Sequence, residues 1–147
     1  MSHNRSITWL RLGVLYFAFA VGVGIAMGAY GNHLLMPVHA HLNLLGWVSM
    51  ALFALIGHLY PAVHQGPLAT VQFWTYNIGV PVMLTALVLR LNGVAAAEPV
   101  IGFASVAIGV SVALFGWLVV LTRARPMRAP SSATMHADIA PSALAAR

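Results

Sequence analysis

The chain reads as an all-α membrane protein built from four transmembrane helices. Three observations predict this. First, 61% of its 147 residues are hydrophobic and only 6% are charged, so it cannot cover a soluble domain with a charged surface. Second, it contains four apolar stretches of about 20 residues, nearly free of charge, the length that crosses a bilayer as a helix. Third, the breaks between them are short and carry Gly, Pro and Asn, which makes sequential helices antiparallel in an up-down bundle or arc. The apolar runs do not alternate, which argues against membrane β-strands.

The first span is expected at about 9–30. Its apolar core is too long for a cleaved signal peptide, and no Ala-x-Ala site precedes a polar start, so it is expected to stay in place. Ala20, Gly24 and Gly28 recur at four-residue spacing, which either builds a close helix contact or reflects the abundance of Gly and Ala. The second span, about 38–60, opens at Pro37, a residue suited to the first helical position. The third is expected at about 70–91 and the fourth at about 100–121. Trp9, Trp47, Trp74 and Trp117 mix interfacial and packing positions. Residues 1–122 thus form one transmembrane domain. The segment 123–147, rich in Arg, Pro, Ser and Ala, is expected to be a disordered basic tail.

Charge sets the orientation. The net charge is +5 and every basic side chain other than His is Arg. Arg5 and Arg11 flank the start of the first span, and Arg123, Arg125 and Arg128 follow the last. The positive-inside rule then puts both termini in the cytoplasm, and an even number of spans agrees. The expected setting is a prokaryotic plasma membrane crossed several times, with lipid rather than nucleic acid as the partner of the basic ends. Cysteine is absent, which excludes disulfides, thiolate metal sites and haem attached through Cys.

The stretch MPVHAHLNLLGWVSM carries the chemistry. An imidazole is costly in hydrocarbon, so an ionisable residue inside a span is a functional hypothesis by default. Residues two apart on a helix project to nearly opposite sides, so His39 and His41 cannot easily grip one small ion. They suit two separate ligation events, each with one nitrogen on a metal and the other N–H held by an acceptor. The competing reading is a wetted interfacial pair. His33 lies in the outer loop as a surface or supporting group. His58 and His64 bracket the far end of the second span and are expected at the interface. His3 and His136 lie in the termini. Arg90 ends the third span on the same side as His39 and His41. It reads either as a snorkelling interfacial Arg, with Glu98 as a possible pair, or as a counter-charge for a carboxylate.

HAHLNLLGW resembles the tenth helix of subunit I of the haem-copper oxidase superfamily, which includes the nitric oxide reductases. QFWTYNIGV, from Gln72, resembles the family's following helix. In that family a His-x-His pair binds haems on opposite sides of one helix, and arginines after the next helix hold propionates. The resemblance therefore implies haem ligation by His39 and His41, with Arg90 on a propionate and Asn43 or His33 orienting an imidazole. It covers the four spans, one third of the family's usual twelve helices. That subunit is three four-helix arcs with approximate threefold symmetry, so the resemblance implies a twelve-helix homotrimer with haem between His41 of one copy and His39 of the next. Nothing resembles the family's copper-binding histidines, and no Lys or Glu suggests a proton channel. Catalysis by this chain alone is not supported, since no nucleophile–base pair, carboxylate dyad or phosphate loop is visible.

The leading expectation is a membrane b-type cytochrome-like protein that holds haem non-covalently and transfers electrons. One alternative is haem-based binding or sensing of nitric oxide or oxygen. Another is a structural or assembly subunit of a larger membrane complex, with no haem.

Overall fold

The computed structural model describes residues 2–122. The expected basic tail, 123–147, lies outside the described residues. Four long helices follow one another: α1, Ser2–Tyr30; α2, Met36–Leu59; α3, Gly66–Leu91; and α4, Glu98–Leu121. Short 3-10 turns at Pro61–His64 and Ala95–Ala97 lead into α3 and α4. All four helices are long and apolar enough to cross a membrane, as the sequence predicts for a multi-pass membrane protein.

The helices pair as two hairpins, α1 with α2 and α3 with α4, and the hairpins touch each other more sparsely. Proline marks the first turn of α2, α3 and α4, where its missing N–H costs nothing. Gly31, Gly66 and Gly93 take positive φ of 61°, 85° and 93° at the three connections, a conformation other residues resist. The first helix begins several residues earlier than its apolar run predicts. The cause is tertiary: Arg5 reaches across to the second connection, as described below, and that anchor keeps the polar first turns helical.

An aromatic layer joins the hairpins. Trp9 of α1 is fully buried and meets Phe53 of α2 at 5.1 Å between ring centroids, Phe73 at 4.9 Å and Tyr76 of α3 at 5.6 Å. All three contacts are edge-to-face, the arrangement the ring quadrupoles favour. Phe53 also meets Phe115 of α4 at 4.3 Å, so the layer draws on all four helices. In lipid, such packing takes over the role that water exclusion plays in a soluble core.

α2 is not a regular helix. Leu42–Ser49 winds as a π-helix between the α-helical segments Met36–His41 and Met50–Leu59. The wider turns strain the i→i−4 pattern, and side chains take up part of the load. The Ser49 hydroxyl donates to the Leu44 carbonyl at 2.8 Å, and the Tyr76 hydroxyl to the Leu45 carbonyl at 3.0 Å. Gly46 sits under the Tyr16 ring, where a Cβ would lie 2.6 Å from the ring carbons. π turns of this kind recur at functional sites, and this one starts directly after His41.

Candidate functional site

The sequence places His39 and His41 in the first turns of α2, and the structure sends them to different surroundings. His39 turns into the α1–α2 contact and is half-buried. Its Nδ1–H donates to the Ala20 carbonyl at 2.9 Å. The ring lies over Gly24, where an added Cβ would stand 2.9 Å from Cε1. This accounts for two of the three small residues: Ala20 and Gly24 make room for an imidazole. Gly28 meets nothing within 4 Å. The Asn43 amide donates to the His39 carbonyl at 3.0 Å and lies 3.3 Å from Nε2. Asn43 thus caps the one nitrogen of His39 that α1 leaves over.

His41 is exposed on the opposite side of α2. Its Nδ1–H donates to the Pro37 carbonyl one turn back, at 2.7 Å. That bond makes Nδ1 the donor and orients the ring, and Nε2 has no protein partner among the described residues. A neutral imidazole held through Nδ1 with Nε2 open is the arrangement a metal ligand needs. Below it on the same exposed face run Leu44, Val48, Leu52 and Leu55.

The remaining expected site residues stand apart. Arg90 donates from Nε to Glu98 Oε2 at 2.8 Å, an exposed pair that bridges α3 and α4. His33 is exposed in the first connection, where its carbonyl accepts from Met36 N–H at 3.0 Å. Among the described residues no hydrogen bond joins Arg90 or His33 to His39 or His41. No group of three or more His, Cys, Asp and Glu side chains comes together among the described residues.

The structure corrects one expectation. His64, expected as a wetted residue at the interface, is buried against protein, 3% exposed. The Pro61–His64 turn folds its ring back onto α2, where it occupies the space beside Gly57 and donates from Nε2 to the Phe53 carbonyl at 3.1 Å. His58 is exposed. Gln72 and Ser111 are also buried, with the Ser111 hydroxyl donating to the Gln72 carbonyl at 2.8 Å. The sequence carried a signal here. Gln72 and Ser111 are polar residues inside apolar spans, and such residues face protein rather than lipid.

Fold and site together define a four-helix membrane protein with His41 exposed beside an apolar face of the second helix. Comparison with protein-family models, with curated proteins and with solved structures finds no match. The functional reading therefore stands on the residues and their geometry.

Proposed function

We propose that this chain is a membrane haem protein of b-type cytochrome character, with His41 as an axial ligand. The observation that carries the reading is the hydrogen bond from His41 Nδ1 to the Pro37 carbonyl, which leaves Nε2 of this exposed ring free of a protein partner among the described residues. The donor set suits haem, which needs one or two imidazoles from protein rather than a cluster of ligands. Bound iron-porphyrin would supply one-electron redox chemistry. The chain's own residues hold, orient and shield: Pro37 fixes the His41 ring, and the leucine-rich face below it excludes water. Arg90 binds Glu98 only through Nε and keeps its two Nη groups for a carboxylate. Ligation by His39 requires the Asn43 amide to turn away, because one Nε2 lone pair cannot serve two partners.

His41 of a single chain supplies one axial ligand, so the second comes from elsewhere. Three copies in a cyclic ring, a twelve-helix homotrimer, would set His41 of each against His39 of its neighbour. The setting we propose is a prokaryotic plasma membrane, with both termini cytoplasmic. The same observation favours a second reading. If no neighbour supplies the other imidazole, the site is open on one side and suits binding of nitric oxide or oxygen.

An absorption spectrum of the purified protein, oxidised and then reduced, tests both. A low-spin haem indifferent to carbon monoxide fits electron transfer, and a Soret band shifted by carbon monoxide fits gas binding. His41→Ala should abolish or convert the spectrum while His58→Ala leaves it intact. Protein that stays colourless after haem supplementation rejects both readings and returns the chain to a packing role. Native mass spectrometry in mild detergent reads the trimer directly; a monomer with full haem content overturns it.

A further inference from the structure

The Arg5 end of the bundle holds a second polar constellation that the haem reading does not use. Arg5 of α1 donates from Nη1 to the His64 carbonyl at 2.9 Å and from Nη2 to the Thr70 hydroxyl of α3 at 3.0 Å. Its guanidinium lies over the Phe73 ring, 5.7 Å from the centroid. One side chain therefore ties α1, the 61–64 turn and α3 together. The His64 ring completes the closure by packing beside Gly57 under the Phe53 carbonyl.

Among the described residues, four buried polar atoms at this end have no hydrogen-bond partner: Ser6 Oγ, Trp9 Nε1, His64 Nδ1 and Gln72 Nε2. Buried polar groups are rarely left so. The imbalance has a direction. With Nε2–H given to Phe53, His64 Nδ1 is an unpartnered lone pair, and the unpartnered atoms of Trp9 and Gln72, Nε1 and Nε2, are both donors. A proton arriving from solvent would bond to Nδ1 and turn the ring into a buried cation. No bond is lost in that step and no other reactant is needed. The cation would stand beside Arg5, and the only described carboxylate, Glu98, is paired with Arg90.

The charged and titratable groups of each packed element point the same way. α1 contributes Arg5, with Arg11 exposed further along. The end of α2 and the turn contribute His58 and Tyr60, both exposed. The start of α3 contributes no ionisable side chain before Tyr76, and the end of α4 none among its described residues. Burial chiefly, and Arg5 in addition, hold His64 below its ordinary range, against the opposing bond to Phe53.

We propose that His64 is a proton-operated latch: neutral, it closes the Arg5 end of the bundle, and protonated, it leaves its seat beside Gly57, releases the Arg5 clamp and admits water to the layer of Ser6, Trp9 and Gln72. Closure is complete above the ordinary histidine value of 6.5. Below it the open state binds a proton that the closed state does not. Opening then gains about tenfold per pH unit until the buried ring also titrates.

Hydrogen exchange of the full chain in detergent micelles, corrected for the intrinsic pH dependence, reads the latch. Amides over 57–70 should lose protection by roughly tenfold or more between pH 8 and pH 5, while those over 31–37 change little. In His64→Gln that loss should disappear. In Arg5→Gln, the 57–70 segment should exchange at pH 8 as fast as the parent chain does at pH 5. A parent chain with pH-independent protection, a His64→Gln variant that keeps the pH dependence, or an Arg5→Gln variant as protected as the parent at pH 8 would each overturn the proposal. The Arg5→Gln arm stands even where His64→Gln does not fold.

Discussion

The two ends of the bundle use histidine in opposite ways. At the His39 end His39 is bonded inside the protein through both ring nitrogens, whereas His41 is exposed and bonded only through Nδ1 among the described residues. At the Arg5 end His64 is sealed in, and its Nδ1 has no partner among the described residues. In each case the backbone takes one ring nitrogen, and the surroundings of the other decide the role. An open Nε2 suits a ligand, and a buried Nδ1 suits a proton.

Substitutions can break this contrast, beginning with the largest expected effect. Trp9→Ala removes the ring that links the hairpins and should cost about 3–5 kcal/mol, read by unfolding in mixed micelles. A loss under 1 kcal/mol would mean that the aromatic layer does not hold the bundle. Gly57→Ala drives a methyl into the His64 ring and should cost about 1–3 kcal/mol. Gly28→Ala, which meets open space, is the matched control and should be near neutral. Equal effects from the two would deny that His64 is seated where the structure has it.

The two histidines of α2 sharpen the comparison. His39→Ala removes the ring's bond to the Ala20 carbonyl and its Nε2 contact with Asn43, and should cost about 1–2 kcal/mol. His41→Ala should hardly move stability and, on the proposed haem reading, should abolish or convert the absorption spectrum. A reversed pattern, with His41 the stabilising residue, would exchange the roles assigned here. Acidification separates the ends again. The buried ring is held below its ordinary range, so its contribution is present above pH 6.5 and fades as pH falls. The melting temperature of the parent chain should drop between pH 7 and pH 5 more steeply than that of His64→Gln. The smallest effect is expected from Arg90→Gln. Both partners of that pair are largely exposed, and such pairs contribute about 0–1 kcal/mol.

Much of the architecture was legible in the residues. Four apolar runs, the prolines at helix starts and the glycines at the turns locate the helices to within a turn, apart from the start of α1. That start depends on Arg5 finding the 61–64 turn, a contact between residues 59 apart in the chain. The divergence of His39 and His41 follows from helical spacing alone. Their inequality does not, because it depends on which side α1 packs against. The latch was hidden for a related reason: a turn of Pro, Ala, Val and His reads as a surface connection, and only its docking on Gly57 buries the imidazole.

The sequence by itself determined a four-helix apolar chain with two imidazoles aimed apart at one end. Helical periodicity and the cost of charge in hydrocarbon suffice for that. Only the tertiary structure decided which histidine stays open and which others close. Ala20 and Gly24 accept one ring and Gly57 another, and such hollows exist only once a neighbouring helix or turn is laid against them.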